Sequence, residues 1–257
     1  MPAADAPMIL AAQEGPPVTV VNPEGKSQIC LVCEHASDFI PASLSDLGLA
    51  PEHRHSHAVW DIGAAELARR MSEALDAPLV MSGVSRLVYD CNRPPDAPDA
   101  IPAQTETIPV PGNRALGEAD RSARVAAVYD PFTRSLRETL DRFATPPALV
   151  TVHSFTPVWH GAERAVELGL LHDADERLAK RMLLAADPAI RTELNAPYSA
   201  ADGVTHTLKT HAIPRGLENV MIEVRNDLLR DAAGVDRIAG NLIVALRRAL
   251  AAGAHAA

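Results

Sequence analysis

Polar side chains follow directly on four apolar runs of this chain. They are Glu34 and His35 after residues 29–33, Asp-Cys-Asn-Arg at 90–93 after residues 87–89, His153 and Ser154 after residues 148–152, and Glu223 after residues 220–222. Runs rich in Val, Ile and Leu predict buried strands, and open α/β sheets bind ligands at the carboxyl ends of their strands. Histidines, carboxylates and an arginine at such an edge indicate a metal site beside an anion clamp.

His35 and His153 are the first candidates for metal ligands. A single buried histidine on a strand is more often a hydrogen-bonded core residue, but two at strand ends with polar neighbours favour zinc. A catalytic zinc site needs three protein ligands and an open position for water. Asp61 or Asp38 could supply the carboxylate; Asp38 stands three positions after His35, a spacing similar to the His-x-x-Glu pair of zinc carboxypeptidases.

Asn92 and Arg93, with Arg86 shortly before them, are the candidate anion clamp. The planar guanidinium fork grips a carboxylate through two hydrogen bonds, and an asparagine amide adds a further donor. This trio suits a substrate with one or two carboxylates. The alternative is that both arginines pair with nearby aspartates and hold the following loop in place; these are Asp90, Asp96 and Asp99. The residues alone do not decide between the two.

Glu223 is the candidate general base. It lies inside a Val-Met-Ile-Glu-Val run, where an unpaired carboxylate costs several kcal/mol to desolvate. Burial of this kind raises the pKa of a carboxyl group, as a base that works near neutral pH requires. The alternative is a buried ion pair of Glu223 with Arg225 or Arg215.

Three further candidates for the site lie in the stretch 198–215, which we predict to be a loop. They are His206, His211 and Arg215. Their side chains could donate to an oxyanion or to a second carboxylate. Equally, they could be solvated loop residues.

Helical and extended patterns alternate along the chain. In residues 62–75, Leu67, Met71 and Leu75 form one apolar stripe at helical spacing. We predict further helices at 118–143 (bent near Pro131), 175–187 and 235–251, and strands at 18–21, 29–33, 78–81, 87–89, 148–152, 166–171 and 220–224. The alternation predicts a three-layer α/β/α sandwich with a central mixed, mostly parallel sheet. One domain spans 27–252, between a loose N-terminal arm (1–26) and a tail (253–257).

Residues 94–113 contain six prolines, a density that excludes both a helix and a central strand. Long loops inside compact domains tend to be functional. This loop is therefore a candidate cover for the site.

The composition limits the classes of partner. The 257 residues carry a net charge of −9, which argues against nucleic acid and anionic membranes. We see neither a run long enough for a membrane helix nor a signal peptide. Three cysteines do not suggest a disulfide framework, so we expect a cytoplasmic protein. The expected partner is a small molecule with carboxylates; a homo-oligomer is left open.

The chain resembles the N-formylglutamate amidohydrolase family. The likeness runs from about residue 28 to 250, and its most specific part is the third of the following segments. The segments are Cys-Glu-His-Ala-Ser at 33–37, Trp-Asp at 60–61, Ser-Arg-Leu-Val-Tyr-Asp-Cys-Asn-Arg-Pro at 85–94, Val-His-Ser at 152–154 and Met-Ile-Glu-Val-Arg-Asn-Asp at 221–227. Members that act in histidine breakdown usually show Pro-His-Ser/Ala-Gly at the first segment, so this chain resembles the "amidohydrolase-like" branch.

The resemblance implies a zinc-dependent amidohydrolase with a zinc carboxypeptidase-like fold, distantly similar to aspartoacylases. One zinc ion is then held by His35, His153 and a carboxylate, for which Asp61 is the first choice and Asp38 the second. The family reaction is the hydrolysis of N-formyl-L-glutamate to formate and L-glutamate.

The resemblance also implies roles for the polar residues. Glu223 matches the family's base, and Asn92 and Arg93 match a pair that holds the substrate carboxylate. Further expected donors to the oxyanion or to a carboxylate are Arg86, His211 and Arg215.

Two alternative functions stay open: a zinc hydrolase of another N-acylated amino acid, or a small-carboxylate binding or sensing protein without a catalytic metal.

Overall fold

The computed structural model describes residues 8–254. The first seven residues of the predicted arm and the last three of the predicted tail lie outside the described residues. The strands are β1 (Val18–Val21), β2 (Ile29–Cys33), β3 (Leu79–Ser82), β4 (Gln104–Thr105), β5 (Ile108–Pro109), β6 (Ala148–Phe155), β7 (Val158–Trp159), β8 (Ala162–Glu163), β9 (Leu168–Leu171), β10 (Thr192–Leu194) and β11 (Asn219–Arg225). The helices are α1 (Ala64–Leu75), α2 (Glu118–Arg124), α3 (Asp130–Leu140), α4 (Arg177–Ala185) and α5 (Ala232–Ala254).

Seven strands form one mixed sheet in the order β1-β3-β2-β6-β11-β9-β10. Strands β3, β2, β6 and β11 run parallel to one another, as do β9 and β10, while the β1–β3 and β9–β11 pairings are antiparallel. Strands β4–β5 and β7–β8 form two separate hairpins. The predicted mixed, mostly parallel sheet is confirmed, and so is the edge strand at 18–21.

Helices cover both faces of the sheet. The alternation of side chains along β2 shows the two cores: Leu31 packs with the apolar stripe of α1 and with α4 and α5, whereas Val32 packs with α3 and the loops of the opposite face. The predicted stripe of α1, including Leu67 and Met71, is fully buried. The predicted three-layer α/β/α architecture is confirmed.

The predicted strand at 87–89 is wrong. Backbone N–H groups of Val88 and Tyr89 donate to the carbonyl of Ser85, and the N–H of Leu87 donates to the Ser85 hydroxyl at 3.1 Å. These local bonds make a turn instead of a sheet ladder, although Leu87, Val88 and Tyr89 are buried. An apolar run of three residues reports burial, which a turn can satisfy as well as a strand.

The predicted interruption of the helical region 118–143 is confirmed. A π-helical segment, Val125–Tyr129, separates α2 from α3, and Pro131 lies in the first turn of α3. Proline is tolerated in a first turn because the N–H groups there have no carbonyl partner within the helix. The edge strand β10 is a strand that the sequence did not reveal.

None of the described helices is long and apolar enough to cross a membrane.

Candidate metal centre and its cavity

The carboxyl ends of three central strands bring the predicted residues together. Strands β2, β6 and β11 are adjacent and parallel, so their carboxyl ends meet at one edge. His35 follows β2, His153 lies near the end of β6, and Glu223 lies opposite His153 in the register of β11. All three side chains are buried.

His35, Asp61 and His153 form a compact donor cluster. The Nδ1 atoms of the two histidines are 3.2 Å apart, and Asp61 Oδ2 lies 3.3 Å from His35 Nδ1 and 3.1 Å from His153 Nδ1. Asp61 lies three residues before the start of α1; its N–H donates to the His35 carbonyl and its Oδ2 accepts from the N–H of Ser154. The backbone therefore holds the third donor in place.

The outer nitrogen of each imidazole lies against a buried carboxylate. His35 Nε2 is 2.7 Å from Asp90 Oδ1, and His153 Nε2 makes an ion-pair contact of 3.1 Å with Glu34 Oε2. These contacts favour a proton on Nε2 and leave the Nδ1 lone pairs facing each other and Asp61. Three converging lone pairs repel one another unless a cation lies between them.

The electrostatics of the donor cluster also favour a cation. Burial opposes a charge on His153, but Glu34 and Asp61 outweigh it and raise the pKa of this imidazole well above its usual value. Burial likewise opposes ionisation of Asp61, but His35, His153 and Arg86 hold its pKa well below its usual value. The carboxylates of Glu34 and Asp61 thus favour a positive charge at His153.

The geometry of the donor cluster fits zinc. Tetrahedral nitrogen and oxygen ligands at roughly 2.0–2.1 Å from the ion lie about 3.3 Å from one another, close to the observed separations of 3.1–3.3 Å. The second candidate carboxylate, Asp38, instead pairs with His55 at 2.7 Å and is partly exposed. Among the described residues, His35, Asp61 and His153 could therefore hold a metal ion.

Arg86 connects Asp61 of the donor cluster to Asp90, the carboxylate that contacts His35. Its Nη1 donates to Asp61 Oδ1 at 3.2 Å and its Nη2 to Asp90 Oδ2 at 3.1 Å, and its side chain is 27% exposed. Burial opposes the charge, but Asp90 and Asp61 raise the pKa of the guanidinium above its ordinary value. Both interpretations of Arg86 from the sequence are therefore met: it forms an ion pair with Asp90, and it also lines the cavity, where it can contact an anionic substrate.

Asn92 and Arg93 are also held by neighbours while they line the same cavity. The Asn92 N–H donates to Asp90 Oδ1, and the Asn92 side-chain oxygen accepts from the backbone N–H of Thr207. Arg93 donates through Nε to Asp99 and through Nη1 to the carbonyl of Gly203, each at 2.7 Å. The predicted loop-pinning pair of Arg93 is thus present, and a substrate role for both residues stays a prediction.

Glu223 lines the cavity as an isolated buried acid. Its Oε2 is buried and has no hydrogen-bond partner among residues 8–254. Burial raises its pKa to about 7, with Asp61 adding to the rise and His153 opposing it. The alternative ion pairs do not form, since Arg225 pairs with Asp227 and Arg215 with Asp141.

The other two predicted donors are not brought to the cavity. Residues 208–212 form a π-helical turn instead of the predicted loop, and His211 is buried within it. Burial, assisted by Arg215, lowers the pKa of His211 to about 4. Arg215 lies in the following 3₁₀ turn and reaches Asp141 at 3.2 Å. Neither side chain is among those that line the cavity in the described structure.

The cavity has a volume of about 660 Å³ and an aromatic side that sequence reasoning missed. Trp159, Arg164 and Tyr198 line it; we call these three residues the aromatic wall. Trp159 belongs to the β7–β8 hairpin, and Tyr198 follows a segment that packs on the sheet at Gly169. A Cβ atom at Gly169 would lie only 2.0 Å from the carbonyl oxygen of Ala196, so this position requires glycine.

None of the residues of the Pro-rich loop 94–113 is among the lining residues in the described part of the chain. The loop reaches the cavity region indirectly: the carboxylate of Glu106 accepts a hydrogen bond from the N–H of His160 on the β7–β8 hairpin. It therefore supports the hairpin that carries Trp159.

Comparisons with known proteins assign the chain to a family. The sequence profile of the N-formylglutamate amidohydrolase family matches residues 27–230, most of the chain. The chain belongs to this family. The predicted resemblance is confirmed, and with it the prediction of an amidohydrolase enzyme. A search of curated protein sequences found no match.

Two solved structures are similar to this member of the N-formylglutamate amidohydrolase family. The gene product Atu2144 from Agrobacterium tumefaciens is 47% identical, with a TM-score of 0.93 over 95% of this chain and 98% of that chain. The N-formylglutamate amidohydrolase from Ralstonia eutropha JMP134 is 19% identical, with a TM-score of 0.65 over 91% of this chain and 97% of that chain. The second likeness shows that the fold is shared.

Proposed function

We propose that this amidohydrolase hydrolyses N-formyl-L-glutamate to formate and L-glutamate, with one zinc ion held by His35, Asp61 and His153. The observation that carries the proposal is the convergence of three donor atoms, 3.1–3.3 Å apart, next to a buried carboxylate without a partner. Such a carboxylate is costly to bury, and an acid perturbed by burial in a cavity is a candidate catalytic group.

Glu223 is the general base. When bound, zinc supplies a Lewis acid and lowers the pKa of a coordinated water towards about 7. A carboxyl group whose own pKa is near 7 can both accept and return a proton at neutral pH. The water oxygen bonds to the formyl carbon, the carbon–nitrogen bond breaks, and the proton that Glu223 takes passes to the leaving nitrogen.

Arg86 stabilises the oxyanion. Two of its five N–H donors are bonded to Asp61 and Asp90, which fixes the plane of the guanidinium beside the donor cluster. The remaining donors can face the carbonyl oxygen of the substrate as it gains charge. A preorganised donor of this kind contributes most in a site shielded from water.

Asn92 and Arg93 hold the α-carboxylate. Both follow Asp90, which contacts His35, so they lie on the side of the cavity next to the donor cluster. Their contacts with Asp99 and residues 203–207 fix the two side chains before substrate arrives, which lowers the entropic cost of orientation.

Formate release from a panel of N-formyl and N-acetyl amino acids tests the proposal. We expect the highest kcat/KM for N-formyl-L-glutamate, loss of activity after removal of metal with a chelator, and recovery with added zinc. Preference for a different acyl group or amino acid would favour the alternative of a zinc hydrolase of another N-acylated amino acid. A cytoplasmic location stays a prediction.

A further inference from the structure

Arg164 is a cation of the cavity that the proposed chemistry does not use. Its guanidinium carbon lies 4.9 Å from the ring centre of Tyr198, 5.0 Å from that of Trp159 and 5.5 Å from that of Phe155. Cations over aromatic faces are stabilised by the ring electrons, and Arg can stack there while its N–H edge stays available. Three rings therefore fix Arg164 without a carboxylate.

The lack of an acidic partner distinguishes Arg164 from the other arginines that line the cavity. Arg86 is paired with Asp61 and Asp90, and Arg93 with Asp99. No ion pair of Arg164 with an acid is found in the described range 8–254; its Nη1 donates to the Thr156 carbonyl at 3.3 Å. Donors of its fork are thus available to an anionic ligand.

The backbone around Arg164 is anchored to the strand that carries Glu223. The Arg164 N–H donates to the Pro157 carbonyl at 2.8 Å, and the Arg164 carbonyl accepts from the Arg225 side chain at 3.1 Å. Arg225 ends β11. The guanidinium is therefore a fixed feature of the cavity, set at a defined place relative to the proposed base.

The aromatic wall and the base face the same space. Burial and the charge of Glu223 raise the pKa of the Tyr198 phenol, whereas Arg164 lowers it. Both charges thus lie close enough to the same ring to perturb it. Among residues 8–254, Arg164 makes no hydrogen bond or ion pair with the donor cluster, whereas Asn92 contacts Asp90, the carboxylate beside His35.

We propose that Arg164 determines specificity by binding the side-chain carboxylate of an acidic N-formyl amino acid. The inference rests on the proposed function and adds a site for the second carboxylate. The α-carboxylate is next to the scissile amide and is held by Asn92 and Arg93; the side-chain carboxylate is farther along the molecule and reaches the aromatic wall. A neutral side chain leaves the Arg164 fork without an acceptor, which disfavours that substrate.

Paired kinetics with N-formyl-L-glutamate and its neutral isostere N-formyl-L-glutamine test the inference. In Arg164→Gln we expect kcat/KM for the glutamate substrate to fall about 100-fold, while kcat/KM for the glutamine substrate changes by less than about threefold. Arg164→Lys keeps the charge but not the fork, and should recover only part of the preference. Arg191→Gln removes an exposed arginine paired with Glu193 and is the matched control, with wild-type kinetics expected.

An unchanged ratio of the two kcat/KM values in Arg164→Gln would overturn the inference. If the wild type releases no formate from either compound, the proposed function fails, and binding then tests Arg164 separately. Calorimetry measures binding without turnover, with glutarate as the ligand that has two carboxylates and butyrate as the ligand that has one. Loss of glutarate affinity alone in Arg164→Gln supports the inference, and equal affinities in wild type and variant contradict it.

Discussion

The donor cluster and the aromatic wall line one cavity but are built in different ways. His35 and His153 stand at the ends of buried central strands, and each has a carboxylate behind it. The wall belongs to a two-stranded hairpin and a loop outside the main sheet, and its members are only half-buried. The first arrangement suits chemistry, which needs fixed donors; the second suits substrate choice, which can change without disturbing the sheet.

The two regions also differ in how their charges are balanced. In and around the donor cluster the charged groups are paired, apart from Glu223, and Arg86 joins Asp61 to Asp90. In the aromatic wall the one cation is held by rings. Substitutions in the donor cluster should therefore abolish metal binding or turnover, whereas substitutions in the wall should alter substrate preference.

Replacement of the base should give the largest effect. In Glu223→Gln we expect kcat to fall about 1,000-fold, within the usual range for a lost general base. The isosteric amide cannot take up the proton but leaves the donor atoms of zinc in place. Zinc content measured alongside the kinetics is the control. A variant with wild-type kcat would show that another group accepts the proton.

The same substitution should change how stability depends on pH in metal-free protein. The Glu223 pKa is raised from 4.5 to about 7 on folding, so the folded state binds the proton more tightly. Its stabilising contribution is complete below pH 4.5 and is lost as pH rises through about 7. Relative to Glu223→Gln, we expect wild-type protein to lose up to about 3 kcal/mol of unfolding free energy across this window. Urea unfolding in chelator checks this, and parallel pH profiles would contradict it.

Replacement of Glu34, the carboxylate that contacts His153, should weaken zinc binding, and this effect should be smaller than that of losing the base. In Glu34→Gln we expect zinc affinity to fall about 10- to 100-fold, because the carboxylate orients the imidazole and raises its basicity. Competition with a chromogenic chelator measures the change. Asp38→Asn is the matched control, since Asp38 contacts His55 away from the cluster. Equal losses of zinc affinity in Glu34→Gln and Asp38→Asn would mean that Glu34 acts only through its negative charge and not by orienting His153.

The smallest effect is expected in the wall. Trp159→Ala removes one of the three rings around Arg164, a contact of about 1 kcal/mol, and should lower kcat/KM for N-formyl-L-glutamate roughly three- to tenfold. Zinc affinity should stay at the wild-type value. A loss of zinc in this variant would show that the wall and the donor cluster are not independent.

The sequence predicted the donor cluster better than the wall for a physical reason. His35, His153 and Glu223 interrupt apolar strands, where an isolated polar residue is conspicuous. Trp159 and Arg164 occur in a short polar segment with no periodic pattern, so only the folded chain shows that they line the cavity. Gly169 gives no signal either, because its role depends on the approach of Ala196 in three dimensions.

Two predicted donors do not line the cavity, and the reason is again that their positions depend on tertiary packing. His211 and Arg215 were expected to be donors from a predicted loop, but tertiary packing forms a π-helical turn there and directs Arg215 to Asp141. Asp61, by contrast, was one of two candidate carboxylates, and the family resemblance put it first.

The metal content of purified protein tests the central claim most directly. Zinc measured by mass spectrometry after dialysis, in wild type and in His153→Gln, should give one ion per chain in the wild type and a marked loss in the variant. X-ray absorption at the zinc edge should then show two nitrogen ligands and carboxylate oxygen. Wild-type protein that binds no zinc, or a variant that retains it fully, would contradict the account.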